Sequence, residues 1–232
     1  MIIIKILDKI INLNIDNEKI NLLKTEQNNI LKKTIYNYST EYNRKLVDNY
    51  KKIDNEIQME KKKILCIIGK SGTGKSTLIK YLLEKYPEKF NYTKSFTTRS
   101  IRKEDKEDIN THIFVNMEHY KKNKLNKKII AEYKSPLNYY SYITIELLDD
   151  EKINLYAIDP IAFNELSNKY SQVFGVYLYL DENERIKRKK NRDKNDFVDE
   201  EKHLDKSLLR GNKFEIIDIN KMSVKEISDL LC

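Results

Sequence analysis

Only two of the 232 residues are cysteines, Cys66 inside an apolar run and Cys232 at the last position. That usage supplies neither a disulfide framework nor a thiolate metal site. Long uncharged apolar runs are missing as well. The opening Met1-Ile2-Ile3-Ile4 is interrupted by Lys5, Asp8 and Lys9, which excludes a signal-peptide core or a spanning helix there. The expectation is a soluble, cytoplasmic protein, in keeping with a mean hydropathy of -0.69. Neither sign of charge dominates: 44 Lys and Arg face 36 Asp and Glu, a formal net charge of +8. Residues 1–60 hold ten basic and nine acidic side chains, so the excess lies in the remainder. There the basic residues are interleaved with acids, which speaks against a nucleic-acid surface and suits a protein that surrounds polyphosphates.

Glycine is scarce too, at five residues. Three of the five fall within Gly69-Lys70-Ser71-Gly72-Thr73-Gly74-Lys75-Ser76-Thr77, directly after the apolar run Ile64-Leu65-Cys66-Ile67-Ile68. This is a G-x-x-x-x-G-K-S phosphate-binding loop between a strand and a helix. Its glycines let successive N–H groups turn inward around phosphate oxygens, Lys75 reaches the terminal phosphates, and Ser76 offers its hydroxyl to Mg²⁺. A nucleoside triphosphate is the implied ligand.

Residues 1–62 contain neither Gly nor Pro. From Leu31 onward, apolar residues recur at Ile35, Tyr38, Tyr42, Leu46, Tyr50, Ile53 and Ile57, spaced three or four apart as on one face of a helix. A shorter element precedes this stripe, and Ser39-Thr40 is a candidate break. The spacing is not a strict heptad. The segment reads as a helical extension that packs on the body or on a second copy, so self-association through residues 1–62 stays open.

From Lys63 onward short apolar runs alternate with helical patterns, the signature of a parallel sheet covered by helices. Strands are predicted over 64–68, 153–158, 173–180 and 214–217. Helices are predicted over 77–85, 161–168, 182–191, 200–210 and 224–231. Between Tyr92 and Tyr142 short alternating strands suggest a small, mostly antiparallel lobe inserted in the α/β core, able to cover a second substrate.

The stretch Ser95-Phe96-Thr97-Thr98-Arg99-Ser100-Ile101-Arg102 places two arginines three apart, able to clamp one dianionic phosphate through forked hydrogen bonds. With the phosphate loop, and with His112-Ile113-Phe114-Val115 following, this resembles the guanylate kinase family. Its pattern runs phosphate loop, S-x-T-T-R-x-x-R-x-x-E, then Y-x-F-V. The resemblance covers residues 63–232 and continues with Glu132, Asn138-Tyr139-Tyr140, Asp159, Arg188 and Arg192. It implies a P-loop kinase fold with an acceptor lobe over about 95–142 and a lid over about 184–200. The implied activity is phosphoryl transfer from ATP, with Mg²⁺, to GMP or dGMP. Ser95 and Glu132 would then face the guanine, a carboxylate that adenine leaves unpaired. Arg99, Arg102 and Tyr140 would hold the acceptor phosphate. Asp159 would lie near the acceptor or the metal's water shell, and Arg188 and Arg192, four apart on one helix face, would close on the transferring group.

Departures from the pattern fall mainly on the base pocket. Asp105, preceded by Glu104, stands where the family has Glu, and His112 replaces a phosphate-contacting Tyr. Ser141-Tyr142 replaces Gly-Ser/Thr, which would put a phenol where a small hydroxyl reaches the base. Ala157 removes one carboxylate of a pair and leaves Asp159, and His203 stands where an arginine is usual. The acceptor phosphate is largely dianionic at neutral pH and needs no general base, so the expected catalysis is positioning and charge neutralisation with water excluded. Two other readings stay open: a kinase of this fold with another nucleotide or a phosphorylated sugar as acceptor, and a non-catalytic interaction module. The intact Lys75-Ser76 pair speaks against the module.

Overall fold

A computed structural model describes residues 17–36, 40–101, 108–192 and 205–231. The described residues begin with two helices, α1 (Asn17–Tyr36) and α2 (Thr40–Met59). They fold back on one another: Gln27 donates to Asp54, Lys19 to Glu60, and Leu23, Ile30 and Ile53 bury their side chains in the seam with Tyr50 and Ile57. Of the break expected at Ser39-Thr40, Thr40 begins α2 and Ser39 lies outside the described residues. The helices pack on the body through Met59, fully buried in the main core.

Five parallel strands form the central sheet: β1 (Lys63–Ile68), β2 (Phe90–Tyr92), β7 (Ile153–Ile158), β8 (Val173–Tyr179) and β9 (Phe214–Asp218), in the order β2-β7-β1-β8-β9. β1 sits in the middle, pairing with both β7 and β8. A strand covered on both faces reads as a continuous apolar run, and period-two alternation then divides its side chains between two layers. Ile64, Cys66 and Ile68 pack with Phe163 and Leu166 of α6 (Pro160–Lys169). Leu65 and Ile67 pack with Leu78 and Leu82 of α3 (Lys75–Lys85) and Ile227 and Leu231 of α8 (Val224–Leu231). Gly175 of β8 allows the close approach on the α6 side, since a Cβ there would stand 2.5 Å from Ile68 Cδ1 and 2.7 Å from the Phe163 ring.

The inserted lobe is a second sheet of order β4-β3-β6-β5, built from β3 (Ser95–Thr97), β4 (His112–Phe114), β5 (Ile129–Lys134) and β6 (Tyr140–Thr144). The β5–β6 and β3–β6 pairs are antiparallel, while β3 and β4 run parallel. A short α4 (Asp108–Thr111) precedes β4, and α5 (Met117–Leu125), capped by the Asn116 side chain, covers one face. After β8 comes α7 (Glu182–Arg192). The helix expected over 200–210 is not found where the chain is described: 200–204 lie outside the described residues, and Lys206–Leu208 forms one 3-10 turn capped by Asp205. No helix among the described residues is long and apolar enough to cross a membrane.

Candidate active site

The phosphate loop joins the end of β1 to α3, with Gly72 at φ 91° and Gly74 at φ 85°. Both lie in the left-handed region that side-chain-bearing residues disfavour, and a Cβ on Gly72 would meet the Arg185 carbonyl at 3.1 Å. Lys75 Nζ donates to the carbonyls of Gly69 at 2.6 Å and Lys70 at 3.0 Å, so the ammonium is folded into the loop that should present it to phosphate. Thr73 Oγ1 also donates to the Lys70 carbonyl. Ser76 and Thr77, at the start of α3, line the cleft with Gly69, Ser71 and Gly74. The Lys70 side chain is buried and turns to Glu182, 3.5 Å away, rather than into the cleft.

The cleft, of about 570 Å³, runs from this loop to the acceptor lobe and is lined there by Ser95, Arg99, His112, Tyr133, Tyr139 and Ser141. Arg99 lies over the Phe114 ring at 5.3 Å, and His112 Nδ1 pairs with Thr111 Oγ1 at 2.8 Å. Ser141 Oγ donates to Thr97 Oγ1 at 3.2 Å, which in turn accepts the Arg99 N–H. Tyr92, Tyr156, Ala157 and Asp159 form the cleft on the core side. Burial pushes the Tyr92 phenol up to about 12 and Tyr156 well above its ordinary value. Both stay neutral, so these two phenols add no charge to repel phosphates. Asp159 caps α6, its Oδ1 accepting from the N–H groups of Ile161 at 2.8 Å and Ala162 at 3.0 Å. Arg188, on α7, lines the cleft and is paired with Glu184 at 3.0 Å.

Three expectations for the acceptor lobe are corrected, Glu132 and Tyr142 at the base and Tyr140 at the acceptor phosphate. Glu132 does not face the cleft: its Oε2 accepts from the Tyr120 hydroxyl at 2.9 Å and its Oε1 from Lys124 at 2.7 Å, both on α5. Tyr142 is fully buried, its hydroxyl on His119 Nδ1 at 2.7 Å and its ring against Phe96. Tyr140 stacks on Tyr120 at 4.1 Å. The reason is register. Glu132 pairs with Tyr142 and Tyr133 with Ser141, and cross-strand partners share a face, so the odd-numbered residues look into the cleft and the even-numbered ones at α5. The phenol expected where a small hydroxyl reaches the base is therefore not there. Ser141 presents a small hydroxyl instead. Tyr133, Tyr139 and Ser141 were missed because Asn138-Tyr139-Tyr140 fits the family pattern in two registers one residue apart.

Arg102, Asp105, His203 and lid residues 193–200 lie outside the described residues. Arg192 ends α7 and its side chain is likewise not described.

One further residue was legible only as part of a basic run. Arg185 of α7 is fully buried; it donates Nε and Nη2 to Glu182 at 3.0 and 2.7 Å and Nη1 to the Ser71 carbonyl at 3.1 Å. The Arg185 guanidinium holds the Glu182 carboxyl below its ordinary range. α7 is thereby fastened to the phosphate loop.

The family model for guanylate kinase matches residues 61–225. The chain is 32 % identical over 121 residues to the guanylate kinase of Schizosaccharomyces pombe, spanning 52 % of this chain and 59 % of that protein. It is 29 % identical over 164 residues to the guanylate kinase of Prochlorococcus marinus, spanning 69 % of this chain and 85 % of the relative. A solved guanylate kinase from Anaplasma phagocytophilum superposes with a TM-score of 0.49 at 20 % identity, covering 72 % of this chain and 81 % of that one. A phosphate loop facing an inserted lobe with Ser95 and Arg99 on its inner side, together with the family match over 61–225, makes this chain a member of the guanylate kinase family.

Proposed function

We propose that the protein is an ATP-dependent guanylate kinase, converting GMP or dGMP and ATP to GDP or dGDP and ADP. The observation that carries this reading is the two-sided cleft: Lys75 and Ser76 on one wall, Arg99 with Ser95 and Ser141 on the other. ATP lies along the loop, where inward N–H groups and the α3 N-terminus receive its phosphates. Lys75 leaves the Gly69 and Lys70 carbonyls for the phosphate oxygens. Arg99, joined by Arg102, holds the acceptor phosphate in line, and Arg188 and Arg192 approach the transferring group from α7 and the lid. The acceptor oxygen is already ionised, so no residue has to take a proton and the work is alignment and charge neutralisation.

Mg²⁺ fits this cleft: the Ser76 hydroxyl at the head of α3 is a hard oxygen donor, Asp159 is also among the lining residues, and such a cation takes few protein ligands beside phosphate and water. Bound there with ATP, it would supply charge neutralisation between the phosphates. Ser95 and Ser141 are the hydroxyls placed to meet the base.

One observation favours a different acceptor: Glu132, the carboxylate expected on guanine, is engaged by Tyr120 and Lys124. Release of ADP from ATP and Mg²⁺ with GMP, dGMP, AMP, CMP, UMP and TMP as separate acceptors decides. Turnover confined to GMP and dGMP supports the guanylate reading. Turnover with another acceptor replaces it, and none with any acceptor returns the interaction module.

A further inference from the structure

The N-terminal hairpin touches the acceptor lobe as well as the core. On α2, Asn55 donates its amide to the Lys127 carbonyl at 2.8 Å, and Asp48 accepts from Lys127 Nζ at 3.3 Å. One lobe residue is thus held by backbone and side chain together. Lys127 sits in the turn between α5 and β5 at φ 56°, a left-handed conformation that residues with side chains rarely adopt without support. Just beyond Asn55 the end of the helix and the turn after it are rooted in the core. Met59 is fully buried, Glu60 accepts from Gln172, and Lys62 Nζ donates to the Leu148 carbonyl at 2.8 Å and pairs with Asp150. Behind β5, a cavity of about 500 Å³ opens between α2, the lobe and α6. β5 itself is seated in the main core through Ile130 and Ala131, so the α2 contacts act at the outer end of the lobe, on the α5–β5 turn beside this groove.

We propose that α2 is a brace fixing the acceptor lobe relative to the phosphate loop, with Asn55 and Asp48 as positioning residues for acceptor binding. Neither touches the cleft; they act through Lys127, at the head of the strand that carries Tyr133. ATP, bound by the core alone, lies outside their reach. The inference rests on the acceptor lying under the lobe and is independent of which base it carries.

The test uses the full chain with Asn55→Ala and Asp48→Ala combined. Alanine favours helix, so α2 itself is not weakened. Losing one hydrogen bond and one exposed ion pair, about 1 kcal/mol together, corresponds to about a fivefold rise in the acceptor KM. The ATP KM stays unchanged, and amide exchange quickens over 129–134 while remaining slow over 64–68. Asn55→Gln, which keeps an amide donor, recovers part of the acceptor KM. An unchanged acceptor KM overturns the brace, as does a parallel rise in both KM values with faster exchange over 64–68, which marks general loosening. Should GMP not be turned over, the acceptor that is takes its place in the same comparison, so the guanylate reading falls separately from the brace. Should none be, exchange decides alone: quickening confined to 129–134 supports the brace and its absence overturns it.

Discussion

Arg185 and Ser71 meet across 114 residues of sequence, the guanidinium of the first donating to the carbonyl of the second at 3.1 Å inside the protein. The same guanidinium is gripped at two points by Glu182, whose carboxylate also draws in Lys70. The helix that carries Arg188 is therefore tied to the phosphate loop through a buried guanidinium. Replacing Arg185 with Met should cost about 2–3 kcal/mol, because it leaves a loop carbonyl and a carboxylate without their buried donor. Denaturant unfolding reads the stability and initial rates read the ATP KM, which should rise. A variant unchanged in both would mean that the contact fastens nothing.

The Glu182 carboxyl is held below its ordinary value near 4.5, chiefly by Arg185. A carboxyl lowered by folding contributes stability that is fully present above its unfolded value and is lost as pH falls through the folded one. Unfolding midpoints between about pH 3 and 6 should therefore fall more steeply with acidification in the native protein than in Glu182→Gln. Parallel curves would remove Glu182 from the acid response.

The face assignment of β5 and β6 separates two variants. Ser141→Ala should raise the GMP KM by about three- to tenfold, as loss of one hydrogen bond to bound substrate does, and leave the ATP KM alone. Glu132→Gln should leave the GMP KM nearly unchanged and act on stability, through Lys124 and Tyr120. The reverse pattern would mean that Glu132 turns into the cleft when acceptor binds.

Lys75→Ala should lower kcat at least about a hundredfold, the scale of losing one preorganised charge at a transition state. Circular dichroism should stay native, since the ammonium donates to carbonyls of its own loop, Gly69 and Lys70, rather than joining two elements of the core. Turnover at the native rate would take Lys75 out of the mechanism.

Gly175→Ala should destabilise the protein by about 2 kcal/mol through overpacking, since Ile68 and Phe163 occupy the space of the new methyl group. Thermal or denaturant unfolding measures it. A neutral result would show that the β8–α6 layer yields more easily than its spacing suggests.

Four of the five strands of the parallel core were legible because each is a short, mainly apolar run bounded by charged or turn residues, Ile64–Ile68 most clearly; β2, three residues with Asn91 at its centre, was not. The phosphate loop was legible because glycines are rare elsewhere in the chain. The acceptor face was not, for a physical reason. Strand periodicity is two, Tyr139, Tyr140, Ser141 and Tyr142 are all polar-tipped, and hydropathy therefore does not say which of them point outward. Family spacing then put the set one residue out, which inverts the face completely. Arg185 was hidden among Lys187, Arg188, Lys189 and Lys190: nothing in a basic run marks the member that is buried, and only the position of Glu182 one helical turn earlier hints at it.

Met59 shares a hydrophobic cluster with Ile64, Phe163 and Leu166, and Glu60 accepts the side-chain amide of Gln172. The stretch matched to the family begins at residue 61. The unit inherited from the family and the unit that closes the core thus differ at their left-hand edge. A protein begun at the family boundary would carry every phosphate-loop and cleft residue named above, yet expose apolar surface beside β1 and leave Gln172 facing water. The extension is a wall of the fold rather than an attachment to it, and trimming the chain to its recognisable portion would remove part of the building.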